Sequence, residues 1–359
     1  MVDVRPDERA HPHGDSAAGD RPVAVVTGAS AGVGRAVARE LAGRGFDVGL
    51  LARGLVGLEA AAGEVRAAGR RAAVVEVDVA DADAVERAAD AVEAELGPID
   101  VWVNNAMTTV FARIADVTAE EFERATRVTY LGQVHGTMAA MRRMRARDRG
   151  VIVSVGSALA FRSIALQAPY CGAKFATRGF HDAVRAELRN DGSGVRIVQV
   201  HLPAVDTPQF GWCRNRMGRA AMPVPPIYRP EVVARVIVGA ALKPRRQRLV
   251  GVWNALLIRA NAVAPGVLDH FAARTTVDSQ QTEQRVDDRD GNLFEPLDGP
   301  GGRDHGATGG FGDQTGGMLD PSFLRSLPAT AGNLLVAVWA RGAEIVRDAG
   351  GRMPSPGPR

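Results

Sequence analysis

Lysine is nearly missing from this chain. Of its 44 basic residues only Lys174 and Lys243 are lysine, tyrosine occurs three times, and the only cysteines are Cys171 and Cys213. Two cysteines exclude a disulfide framework and a four-cysteine metal site, and they fit a reducing, cytoplasmic setting. No run of 18 apolar residues occurs, which excludes a bilayer-spanning helix. Residues 1–20 are charged and lack an apolar core, so they read as a disordered tail rather than a signal peptide, with His11 and His13 as solvated residues of that tail. The net charge is only +3, and no basic stripe interleaved with aromatics is present, so nucleic acid is not an expected partner. At 359 residues, 46% of them hydrophobic, the chain can bury one large core and carry a small appendage.

The scarce residues meet in one place. Tyr170 and Lys174 stand four apart, with Ser157 thirteen residues earlier. Side chains four apart lie on one helix face, one turn from each other. For three tyrosines and two lysines, roughly 0.02 such pairs arise by chance. In a chain that writes its positive charges as arginine, a lysine here points to a need for a compact ammonium. An ammonium beside a phenol favours the phenolate, so the Tyr170 pKa is expected to fall, by about three units for proton exchange near neutral pH. A Ser157 hydroxyl arriving from another element can then hydrogen-bond the oxygen that gains or loses the proton.

The ordered chain is expected to begin near Pro22. A buried strand, the turn TGASAGVG and an amphipathic helix follow one another, with Gly28, Gly32 and Gly34 in the turn. Glycines there admit a pyrophosphate to the backbone, and the helix N-terminus supplies amides and a positive dipole end. The second strand, Phe46 to Arg53, carries Ala52 where an acid would bind the ribose of NAD. Arg53 follows it and can pair with a 2′-phosphate, so NADP is expected over NAD. Alternation continues with helix 55–69, strand 72–77, helix 81–96 and strand 99–104. Asp78 is placed to reach an adenine amino group, and Asn104, Asn105 and Ala106 form a small-residue wall beside a cofactor. Thr118 and Glu121 make a capping box for a long helix reaching about Arg147. Strand 150–155 delivers Ser157, helix 169–189 carries the Tyr–Lys pair, and strand 195–200 leads to a loop ending in Thr207. Residues 209–222 read as a short lid helix, and helix 230–242 and strand 248–252 close the sheet. The pattern is α/β: a doubly wound, Rossmann-like parallel sheet in one domain spanning 21–252, followed by a C-terminal extension.

With these motifs in place, residues 21–252 resemble the short-chain dehydrogenase/reductase family. The glycine motif falls on Thr27, Gly28, Gly32 and Gly34, and the family's Ser, Tyr and Lys on Ser157, Tyr170 and Lys174. The resemblance implies an NADP(H)-dependent oxidoreductase that moves a hydride between a nicotinamide and a carbonyl or alcohol. Tyr170 would be the general acid/base, Lys174 would hold the ribose, and Ser157 would orient the carbonyl. Ser30, Val33, Arg53, Asp78, Val79, Asn105, Ala106 and Thr207 would complete the cofactor site. Three departures stand out: Met107 replaces a glycine, Pro203-Ala204 replaces Pro-Gly, and Thr129 takes the place of an asparagine in a catalytic proton relay. The alternative is a nucleotide-binding regulatory or interaction protein on the same fold, without turnover. Lid residues and Met107 suggest an apolar substrate, and the family suggests a homodimer or homotetramer.

Beyond residue 252 the resemblance ends. Residues 253–277 form an apolar segment expected to dock on the body, with a hydrophobic lid or a peripheral membrane contact as alternatives. Residues 278–317, rich in Gly, Asp, Gln and Arg without periodicity, read as a disordered linker dispensable for chemistry. Residues 318–359 read as one further helix and a loose tail.

Overall fold

Alternation along buried strands divides the core into two layers. On β1 (Val23–Thr27), Ala24 and Val26 pack into one layer while Val23 and Val25 pack into the other. Such strands are covered on both faces, as in parallel sheets. The structure, a computed structural model, describes residues 21–312. The expected tails at 1–20 and 318–359 lie outside the described residues.

Six strands join β1: β2 (Asp47–Ala52), β3 (Ala72–Glu76), β4 (Ile99–Asn104), β5 (Gly150–Ser157), β6 (Val195–Leu202) and β7 (Gln247–Leu249). Their order is β3-β2-β1-β4-β5-β6-β7, and every pairing is parallel. The order reverses between β1 and β4, where open sheets of this kind bind ligands outside the strands' carboxyl ends. The first helices in chain order are α1 (Gly32–Gly43), α2 (Leu55–Ala67), α3 (Ala82–Leu96), α4 (Ala119–Thr126), α5 (Gly132–Ala146) and α6 (Ala168–Asn190). After them come α7 (Gln209–Trp212), α8 (Pro230–Leu242), α9 (Val252–Val263) and α10 (Pro265–Thr275). Val37, Leu41, Leu58, Val65, Val233 and Ile237 of α1, α2 and α8 cover one face. Val85, Val92, Ala140, Met144, Val184 and Leu188 of α3, α5 and α6 cover the other.

Local chemistry sets the boundaries. The Asp81 side chain caps α3, and Thr118 with Glu121 completes the expected capping box on α4. The expected single helix to Arg147 is instead α4 and α5 joined by a π-helical turn, Arg127–Leu131. Such turns collect at functional sites. Strand β7 is shorter than expected, because Gly251, at φ 86°, turns the chain directly into α9.

Three expectations change. The lid helix ends at Trp212, and the chain then runs extended through Arg214–Asn215 and Arg219–Ala221. Distant partners hold it so: Arg214 donates to Glu121 at 2.6 Å and to Asp290 at 2.6 Å. The apolar segment is two helices broken at Pro265, and its contacts with the body include polar ones. Asn261 donates to the Phe161 carbonyl at 3.0 Å and Arg162 to Asp269 at 2.5 Å, while Val263 is 86% and Val267 69% exposed. Residues 278–312 are not a disordered linker. Gln281–Arg285 pairs antiparallel with Arg219–Ala221, and Leu293 is fully buried. Aperiodic composition hid this because backbone groups and charges, rather than an apolar stripe, make most of its contacts.

Candidate active site

The glycine turn joins β1 to α1 at the switch point. Gly28 and Gly32 have φ of 67° and 58°, a region L-residues with side chains rarely adopt. A Cβ on Gly34 would overlap the Gly28 carbonyl and the Asn105 amide. The turn is tied to the end of β4 by two residues. Buried Thr27 accepts the Asn105 and Ala106 N–H groups at 2.9 and 3.0 Å. The Asn105 side-chain amide donates to the Thr27 and Gly28 carbonyls at 2.9 and 3.3 Å. Glycine turn, Asn105 and Ala106 are therefore one rigid cradle with close backbone approach, and it fits a pyrophosphate. Ser30 is buried in this turn, and Val33 packs against the core behind it. Thr207 lies against Gly32, 3.4 Å from where its Cβ would stand.

Two strands along, Ser157, Tyr170 and Lys174 come together as the spacing predicts. Ser157 ends β5, where its oxygen accepts the Leu159 N–H at 3.1 Å and its hydroxyl hydrogen-bonds the Tyr170 phenol. The Lys174 Nζ is 5.4 Å from the Tyr170 ring centre and donates to the Val155 carbonyl at 2.7 Å. The electrostatics differ from expectation. Burial pushes the phenol's pKa up, with the Ser157 hydrogen bond opposing it. Burial also pulls the Lys174 ammonium down to about 7. Desolvation is the leading cause at both groups, so the expected fall in the Tyr170 pKa does not occur here.

Other expected residues are committed elsewhere. Thr129, fully buried in the π turn, donates to the Thr108 carbonyl at 2.7 Å and accepts the Thr108 N–H at 3.0 Å. Its hydroxyl closes that loop rather than contacting Lys174. Asp78 accepts from the Ala80 N–H at 3.0 Å and from Arg124 at 2.5 Å, and the carbonyl of Val79 faces His135 Nδ1 at 2.9 Å. Arg53 meets the extension: its guanidinium donates to the carbonyls of Asn292 and Phe294, both at 2.5 Å, and of Leu293 at 3.5 Å. Burial and the nearby Arg124 pull the Arg53 pKa down.

Sequence reasoning missed the extension's part in the site. Gly306 accepts the Gly32 N–H at 3.0 Å, Asp304 pairs with Arg35, and Asp298 sits beside Gly54 and Gly57. No period or motif marks these residues. His201 was also missed. It stands beside the Gly156 backbone, one residue before the end of β6, stacks edge-on against Phe161 at 4.7 Å, and burial lowers its pKa to about 4, so it is a neutral ring. Among the described residues no cluster of metal-ligating side chains occurs, and no helix is long and apolar enough to cross a membrane.

Comparison with known proteins agrees with this geometry. Residues 22–216 match the short chain dehydrogenase family. The uncharacterized oxidoreductase YxnA of Bacillus subtilis (strain 168) is 31% identical over 291 residues, covering 80% of this chain and 82% of that protein. An alcohol dehydrogenase of Thermococcus sibiricus, solved with 5-hydroxy-NADP, is 28% identical with a TM-score of 0.55, over 64% of this chain and 94% of that one. A variant of the actinorhodin polyketide ketoreductase, solved with NADPH, is 27% identical with a TM-score of 0.59, over 66% and 97%. A parallel seven-stranded sheet, a glycine cradle at its switch point and a Ser–Tyr–Lys cluster beside it are thus joined by direct similarity, and the chain belongs to the short-chain dehydrogenase/reductase family of oxidoreductases.

Proposed function

We propose that the protein is an NADP(H)-dependent carbonyl reductase or alcohol dehydrogenase acting on an apolar small molecule, as a cytoplasmic homo-oligomer. The observation that carries this reading is the Ser157–Tyr170–Lys174 cluster, with the phenol hydrogen-bonded to Ser157 and the ammonium beside its ring. The nicotinamide, when bound, supplies the hydride. The cradle of Thr27, Gly28, Gly32, Val33, Gly34, Asn105 and Ala106 would hold the dinucleotide, and Arg53 its 2′-phosphate. The two NADP-type ligands named in the similar solved structures support that choice of nucleotide.

Tyr170 donates the proton. Its raised pKa keeps the phenol protonated at neutral pH, the form needed to protonate a carbonyl oxygen as it is reduced. Ser157 orients that oxygen toward the phenol. Lys174 would hold the ribose side, and its ammonium form stabilises the phenolate left behind. Replacing Tyr170 by Phe removes the proton donor without changing the ring. Turnover of a working substrate is expected to fall by about 10²–10⁴. A Tyr170→Phe protein with near-normal turnover refutes the assignment. A protein that binds NADPH yet consumes none across a carbonyl panel is a nucleotide-binding module instead.

A further inference from the structure

The extension crosses the nucleotide cleft and takes up the groups a cofactor would use. Asn292, Leu293 and Phe294 accept the Arg53 guanidinium through their carbonyls. Asp298 accepts the Val56 N–H at 3.0 Å through its backbone, and its carboxylate fills the space in front of Gly54 and Gly57, next to Ser30. Gly306 accepts the Gly32 N–H at the glycine turn, and the Gly309 and Phe311 N–H groups donate to Asp206, each at 2.9 Å. We propose that residues 289–306 are an internal competitor for the adenosine half of the cofactor, withdrawing from Arg53 and the glycine turn when the dinucleotide loads. This rests on the reading of the cleft as an NADP(H) site.

The chemistry of the two occupants makes them exclusive. A 2′-phosphate paired with Arg53 would stand against the Asp298 carboxylate, two anions in a dry pocket 5% exposed at Asp298. The Asp298 Oδ2 is buried without a hydrogen-bond partner among the described residues, as are Asn292 Oδ1 and His305 Nε2. Docked, the strap therefore bears unmet polar groups, and its release returns them to water. Little apolar burial opposes that release, since Leu293 is the only apolar residue of 289–306 that is buried. A phosphate offers the Arg53 guanidinium an anionic, bidentate acceptor, whereas the strap offers it neutral carbonyls. Docking of the strap lowers the fraction of protein open to nucleotide, and apparent affinity falls by that fraction.

The test uses the full chain. Asp304 pairs with Arg35 beside the cleft, and Arg35 keeps Glu64 as a partner at 3.0 Å when Asp304 is changed. Asp304→Ala is expected to lower the NADPH dissociation constant about threefold or more, because the strap is loosened. In the wild type, NADPH is expected to speed tryptic cleavage at exposed Arg303, mapped by mass spectrometry. A dissociation constant that rises or stays unchanged, or NADPH protection of Arg303, overturns the proposal and makes the strap a wall of the nucleotide compartment. Failure of the NADP reading looks different. The wild type would then prefer NAD, while Asp304→Ala would still tighten whichever dinucleotide binds.

Discussion

Lys174 is expected to weaken the fold it serves, and replacing it with Met isolates that effect. The ammonium is 2% exposed, and burial lowers its pKa from 10.5 to about 7. Between those values the unfolded chain binds a proton that the folded chain has lost, so wild-type stability rises with pH across this window. Integrating the difference gives a penalty of about 4 kcal/mol at pH 7 and about 2 kcal/mol at pH 9. Methionine fills a similar volume without charge. It forfeits the bond to the Val155 carbonyl, worth about 1 kcal/mol, because Gln133 still donates to that oxygen at 3.2 Å. Lys174→Met should therefore be more stable than wild type by about 2–3 kcal/mol at pH 7, with the gain shrinking by about 2 kcal/mol at pH 9. Urea denaturation of both proteins at the two pH values measures this, and NADPH turnover should collapse in the variant. A Lys174→Met protein less stable than wild type at pH 7, or a difference independent of pH, refutes the burial argument.

Two further outcomes test the cradle and the π turn. Gly34→Ala forces a methyl into the Gly28 carbonyl and the Asn105 amide. It should cost about 1–3 kcal/mol in thermal denaturation and abolish nucleotide binding; normal binding in calorimetry would show that the turn yields. Thr129→Val leaves a buried Thr108 N–H unpaired, expected to cost about 1–3 kcal/mol while the pH profile of turnover keeps its shape. A displaced profile would return Thr129 to a proton relay.

The readable parts of the chain were those whose chemistry is local. Strand β4 and helix α8 occur at the expected residues because apolar alternation, Pro230 and a buried apolar face are contained in short windows. The Thr118–Glu121 box was legible for the same reason. That Ser157, Tyr170 and Lys174 come together was legible because a spacing of four on one helix face and a strand end are local features. The lid was not, since Arg214 and Asn215 are held by Glu121, Asp290 and Arg289, whose nearness no window contains. The strap escaped for a related reason: carbonyl oxygens carry no residue signature, so Arg53 gave no sign of choosing residues 292–294. The pKa shifts of the Tyr–Lys pair depend on how dry the pocket is, a property of the packed core rather than of spacing.

The strap also gives synthesis a direction. The last strand of the sheet ends at Leu249, while the residue that meets the glycine turn is Gly306. At ~5–20 residues per second, some 60 residues separate them by about 3–12 s of translation. Until Asn292 is made, the emerging chain holds every residue of the cradle and the Ser–Tyr–Lys cluster, yet nothing lies across Arg53. A nascent protein therefore passes once through a state in which the nucleotide meets no rival. A finished molecule that has lost its cofactor must reopen the cleft against its own tail.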